Sequence, residues 1–226
     1  IEMRVDEKSH SLHDLLRLGI HVGDFIAIDP QPDVMENGFI VSRHLDDKAG
    51  VAVLLGAIKA VIDAGVELPV DCHPLFTISE EVGSGASAIL HGDIAEMLTL
   101  DNGTTAPGQN SREYGVTVCM ADMSGPFDYH LTQRILQLCQ EFEIPHQRDI
   151  FRYYRSDSAA AVEAGNDLRT ALATFGVDAS HGWERIHWNA LDSLAQLVAL
   201  YMQSPPLYDR DREQRGSLTG FPTMPG

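Results

Sequence analysis

Asp46 and Asp47 follow the apolar stretch FIVSRHL, Glu80 and Glu81 follow PLFTIS, Asp101 follows MLTL, and His181 lies just beyond ATFGV. Taken singly, each is more often a solvated loop end or a helix cap than a working group. An aspartate before an apolar helix pattern is a good N-cap, because it accepts from the orphan N–H groups of the first turn and complements the helix dipole. That explains one of the two adjacent aspartates and does little for the other. Gathered at one place, these carboxylates would repel one another unless a cation sat among them. Asp, Glu and His donors without a thiolate suit Zn²⁺, Co²⁺ or Mn²⁺ at a hydrolytic site. Two such ions about 3.5–4 Å apart, clamped by a shared carboxylate, are the arrangement of metal-assisted hydrolysis. The doublets then divide. One aspartate bridges while its neighbour orients an outer group or caps the helix, and one glutamate ligates while the other serves as general base.

The elements that must position these residues alternate between strand and helix patterns. GIHVGDFIAIDP and ENGFIVS read as short strands, the second after an Asn37-Gly38 turn signal. Val51, Leu54, Leu55, Ile58 and Ile62 then recur at helical spacing up to a stop at Gly65. PVDCHPLFTIS reads as a strand, GASAILHG as a short helix, and EMLTLDNG and GVTVCMADM as strands. The helix DYHLTQRILQLCQEFE, strand RDIFRYY, helix SDSAAAVEAG and strand RTALATFGV follow, and the amphipathic helix NALDSLAQLVALYMQS closes the core. Residues 205–226 lack periodicity and read as a tail without fixed structure. Strands alternating with helices imply an α/β sheet covered on both faces. In such sheets ligands collect outside the carboxyl ends of the strands, where Asp46, Glu80, Glu81, Asp101 and His181 all fall.

Totals exclude several classes of partner. Thirty-three acidic residues against 16 basic ones leave a net charge of −17. That balance argues against nucleic acid or an anionic membrane, whose binding depends on Lys and Arg. Cys72, Cys119 and Cys139 form no framework of pairs and read as reduced thiols, which places the protein in the cytoplasm. No apolar run reaches membrane-spanning length. The chain opens on Ile1 in mid-pattern, so a preceding segment is expected.

LDDKAG, FTISEEVGSGAS, LDNG and SHGWERIH together resemble the glutamyl-aminopeptidase family of dinuclear metallopeptidases, builders of tetrahedral (TET-like) particles. The likeness runs from the start of the chain to about residue 203, with a nearer similarity to a bacterial branch linked with an osmoprotectant dipeptide system. It implies a three-layer αβα sandwich with a mixed, mostly parallel sheet. It further implies the end of a β-rich dimerisation lobe over 1–40 and a catalytic domain over 41–204 that lacks its first strands. By the same resemblance Asp46 bridges two divalent ions, Zn²⁺ or Co²⁺ with Mn²⁺ also compatible. Glu81 and His181 hold one ion, Asp101 holds the other, and Glu80 is the general base; Asp47, beside the bridging aspartate, is expected to be a second catalytic residue. Asp157, in RSDSAA, falls where the family has a substrate-site aspartate, and Arg155 beside it could meet an acidic substrate side chain.

The family also takes a histidine ligand from a His-x-Asp motif far upstream. His44 and Asp46 have that spelling, but Asp46 already has a role, and His10, His13 and His21 lie in the opening lobe. The Asp101 site therefore lacks its histidine, and this stretch alone is expected to be inactive. The implied reaction is release of N-terminal residues from peptides by a homo-oligomer, between a dimer and a dodecamer in size. The alternatives are an amidohydrolase of acylated amino acids or a small modified dipeptide, and a catalytically incomplete assembly subunit. His187, six residues past His181, reads as packing at a helix start. His73, His91, Trp183, Trp188, Tyr153 and Tyr154 have packing readings at least as good as functional ones.

Overall fold

A computed structural model describes residues 2–90 and 92–212. The expected tail from residue 213 onward, and His91, lie outside the described residues. The chain divides into two compact units, Ile1–Pro30 and Gln31–Gly226.

In the first unit the stretch expected to be β-like holds a short helix, α1 (Leu12–Arg17). Ser11 caps it, accepting from the Asp14 amide, while its hydroxyl donates to the Asp14 carboxylate at 2.7 Å. This reciprocal Ser-x-x-Asp cap outweighs the strand-like composition. The strand expected at GIHVGDFIAIDP does not form. Val22, Phe25 and Ile28 are all exposed and recur every third residue, which places no single face of a strand against a core.

The second unit opens with a hairpin of β1 (Asp33–Val34) and β2 (Phe39–Ser42), turned at Gly38 with φ +91°. β2 pairs antiparallel with β8 (Glu184–His187), a strand the sequence reading did not separate from the loop before it. Residues 39–42, which straddle the expected boundary at 40, thus pair with the strand that follows the turn carrying His181.

α2 (Leu45–Ala64) runs where the helical spacing lies, but the buried stripe is Ala49, Gly50, Val53, Ala57 and Val61. Of the residues that recur at helical spacing, Val51, Leu55 and Ile62 are exposed. The helix is apolar nearly all round, and its small-residue face permits the closer approach to the core.

PVDCHPLFTIS forms no strand, since among the described residues no ladder partner lies beside it, and Phe76 and Ile78 are exposed. GASAILHG forms no helix over its described residues, which are turns, bends and irregular chain. It is too short to recover the cost of helix nucleation without an apolar face to dock.

The larger sheet is built from β3 (Glu96–Thr104), β4 (Val116–Asp122), β5 (Gly125–Pro126), β6 (His146–Ile150) and β7 (Arg169–Val177). Its order is β3-β7-β4-β5, with β6 also on β4. β7 pairs parallel with β3 along the full length of both and antiparallel with β4, and β4 pairs parallel with β6, so the sheet is mixed.

β7 is buried on both faces. Ala171, Ala173, Phe175 and Val177 pack with Val116 and Val118 under α2, α3 (Tyr129–Glu141) and α5 (Trp188–Met202). Leu172, on the opposite face, packs with Cys119, Phe127 and Phe151. α4 (Asp157–Glu163) lies against β3 and β7 on that side, with Ser158 and Thr99 sharing a 2.7 Å hydrogen bond. The result is an αβα arrangement.

Within the expected tail, residues 205–212 pack back on the sheet's β3 edge. The Leu207 amide donates to Glu96, and Arg169 pairs with Asp211 and covers the Tyr208 ring. Among the described residues no helix is long and apolar enough to cross a membrane.

Candidate metal centre

The parallel pairing of β3 and β7 places Asp101, on β3, beside the end of β7, which leads into the turn carrying His181. β2 pairs with β8 and feeds α2, so Asp46 arrives at the same edge from a third direction. Glu80 and Glu81 sit on a short 3-10 turn (Glu80–Val82). Ligand-type atoms of Asp46, Glu81 and His181 lie within 4.8 Å of one another, as do those of Asp46, Asp47 and Asp101. Asp46 is common to both groups. His181 Nε2 stands 3.1 Å from Asp46 Oδ2 and 3.4 Å from Glu81 Oε2.

Local conformation is specific here. The β7–β8 turn sets Ala179 (φ 57°) and His181 (φ 63°) in the left-handed region, and the Gly182 amide closes it on the Ala179 carbonyl. A non-glycine residue at such φ is strained unless its surroundings hold it. Glu184, 1% exposed, supplies part of that hold: its Oε1 accepts from the His181 amide at 2.9 Å and its Oε2 from the Asp46 amide at 3.0 Å. Asp47 turns back to accept the Gly50 amide at 3.2 Å, capping α2 while its carboxylate stays beside Asp46 and Asp101.

Electrostatics supports a cation. Burial, then the charges of Asp157, Glu81 and Asp46, pushes Glu80 up to about 7, with His181 opposing. Burial and the Asp46 charge raise Asp47 well above the usual carboxylate range. Burial and the charges of Asp47, Asp46 and Glu80 do the same to Asp101. Asp46 is raised by burial despite help from Asn102 and His181, and Glu81 is raised by burial and Asp46. Each is a carboxylate resisting ionisation among its own kind, which divalent ions would relieve. The all-oxygen-and-imidazole donor set fits Zn²⁺ or Co²⁺. Among the described residues no histidine joins the Asp46, Asp47 and Asp101 group.

A cleft of about 230 Å³ opens over the centre, and Glu80, Arg155 and Asp157 line it with the metal-type residues. Arg155 is paired with Glu163 at the rim. Asp157 is occupied: it accepts the Thr77 hydroxyl at 2.6 Å and the Ala86 amide at 3.0 Å, and so grips both ends of the segment that carries Glu80 and Glu81. Tyr153 and Tyr154 face the cleft, whereas Trp183 and Trp188 do not line it. His187 caps α5 through the Asn189 amide and packs on Phe39 and Tyr114. Glu184 and Asn102 escaped the sequence reading. Glu184 carried a faint signal, an acidic residue three positions after His181 in a stretch otherwise suited to a strand.

Over residues 1–197 the sequence matches the M42 glutamyl aminopeptidase family. The chain belongs to that family. It is 42% identical over 205 residues to a Bacillus subtilis (strain 168) protein named "Putative aminopeptidase YhfE", covering 91% of this chain and 59% of that one. This M42 chain therefore spans about three fifths of the length of that relative. Aminopeptidase APDkam598 from the archaeon Desulfurococcus kamchatkensis has the same fold, with a TM-score of 0.73 at 20% identity, over 88% of this chain and 59% of that one. The TET1 peptidase of Pyrococcus horikoshii, which can assemble into a tetrahedron or a large octahedral shell, also scores 0.73, at 22% identity over 87% and 59% of the two chains. Both likenesses show the fold alone.

Proposed function

We propose that the protein is a metal-dependent aminopeptidase releasing N-terminal residues from peptides. One observation carries this: Asp46, Glu81 and His181 converge on one point while Asp46 also faces Asp101. Asp46 would be shared between two divalent ions, Zn²⁺ or Co²⁺ or else Mn²⁺, with Glu81 and His181 available to hold one and Asp101 the other. Bound there, the ions would supply Lewis-acid polarisation of the scissile carbonyl and acidify water. Glu80 stands free of ligand duty in the cleft wall, takes a proton from the attacking water and returns it to the leaving amine. Asp47 holds the start of α2 in place through Gly50. Asp157 fixes the Glu80–Glu81 segment, and Arg155, on releasing Glu163, meets an acidic substrate side chain at the rim.

A chain confined to these residues, with no histidine beside Asp101 among the described residues, is expected to show little or no turnover. The TET1 likeness and the exposed apolar side chains of the first unit support a homo-oligomer, with residues up to about 40 ending its dimerisation lobe. Three free cysteines support a cytoplasmic setting.

The test is a panel of aminoacyl anilides and their N-acylated counterparts offered to the intact protein, with metal content measured for the wild type, Glu81→Ala and His181→Ala. The proposal expects turnover of free-amine substrates and loss of bound metal in both variants. Turnover confined to blocked substrates would replace it with an amidohydrolase reading.

A further inference from the structure

We infer that Glu184 is a positioning residue that sets the metal affinity of the centre without touching the ion. This rests on the metal-centre reading above. Glu184 is 1% exposed, a depth at which a carboxylate needs strong partners. Its partners are two backbone amides, those of Asp46 at 3.0 Å and His181 at 2.9 Å, one on each oxygen. Asp46 lies 138 residues away in sequence and His181 three. A single carboxylate thus clamps together the two turns whose side chains meet 3.1 Å apart.

Both turns need holding. His44, two residues before Asp46, and His181 itself are at positive φ. β8 supplies the register: Glu184 pairs with Ser42 at the end of β2, which points its side chain back toward the α2 start. The chemistry of the clamp requires a carboxylate. Both partners are donors, so the site needs two acceptor oxygens, and a glutamine would turn an NH₂ group against one of the amides. The buried negative charge also favours cations held by Asp46 and His181. Residues that orient ligands in this way typically govern metal affinity by about 10–100-fold.

The test titrates metal-free intact protein with Zn²⁺ and with Co²⁺ by calorimetry, comparing wild type with Glu184→Gln, with melting and circular dichroism reporting the fold. Binding about 10–100-fold weaker in a folded variant, with faster hydrogen exchange at the Asp46 and His181 amides, is the expected result. Wild-type affinity in a folded Glu184→Gln overturns the inference. Should that variant not fold, exchange in the wild type decides: protection of both amides supports the clamp, and free exchange at either one overturns it. Failure of the wild type to bind either metal overturns the metal-centre reading and this inference with it, a result distinct from the variant's behaviour.

Discussion

Glu80 illustrates how much a single side chain owes to its neighbours. Its carboxyl titrates at about 7 where 4.5 is ordinary, because burial and three nearby carboxylates oppose its charge. The folded metal-free protein therefore holds this proton more tightly than the unfolded chain does. Between pH 4.5 and about 7 the folded state binds more protons, so stability falls as pH rises through that window. Asp46, Asp47, Glu81 and Asp101 shift in the same direction and steepen the fall. Chelator-treated protein is expected to melt at progressively lower temperature from pH 5 to about 7.5, and excess Zn²⁺ should flatten the trend. A melting temperature that climbs with pH in the presence of chelator would contradict the clustering of charges. Replacing the proposed base tests a separate point. Glu80→Gln is expected to lower kcat by about 10²–10⁴-fold while metal content stays at the wild-type level. Loss of metal in that variant would move Glu80 from base to ligand.

At the level of elements, the 3-10 turn bearing Glu80 and Glu81 pairs with no strand among the described residues and is tied to α4. Asp157 at the start of α4 reaches Thr77 and Ala86 on either side of the turn. Gly85 must be glycine for this contact, since a Cβ there would fall on the Asp157 carboxylate. Gly85→Ala is expected to destabilise the protein by about 1–3 kcal/mol and to lower kcat more than it changes KM, measured by urea unfolding and steady-state kinetics. Gly56 offers a contrast inside α2, where an added Cβ meets nothing within 4 Å. Gly56→Ala should raise stability by about 0.5–1 kcal/mol through helix propensity. If both substitutions move stability equally, the Asp157 anchor has no special weight.

The whole molecule holds its site together through β7. That strand is paired on both sides, packed on both faces, and followed directly by the turn that carries His181. Phe175, fully buried between β4 and the helices, is its largest core side chain. Phe175→Ala should cost about 3–5 kcal/mol, read from the urea midpoint at unchanged m-value. A loss under 1 kcal/mol would mean that the core collapses around the gap, and that the sheet is less rigid than its packing implies.

Much of this arrangement follows from local pattern. Helical spacing locates α2, α3 and α5, near-continuous apolar runs locate β4 and β7, and the doubled carboxylates draw attention to residues that the fold does bring together, although Glu80 and Glu81 follow no strand. The Asn37-Gly38 signal marks its hairpin. These features rest on contacts between residues a few positions apart, or on a rule general to the fold.

Other features depend on partners that no local window contains. A strand at PVDCHPLFTIS needs a neighbouring ladder, and none stands beside it among the described residues. The buried face of α2 was chosen by close approach to the core and not by side-chain size. Asp157, expected at the substrate, spends its carboxylate on groups 71 and 80 residues away, and Glu184 reaches across 138. The residue types were thus set by the sequence alone. Which carboxylates face the centre and which hold the others in place was decided by tertiary structure, since a buried charge takes its role from the donors that surround it.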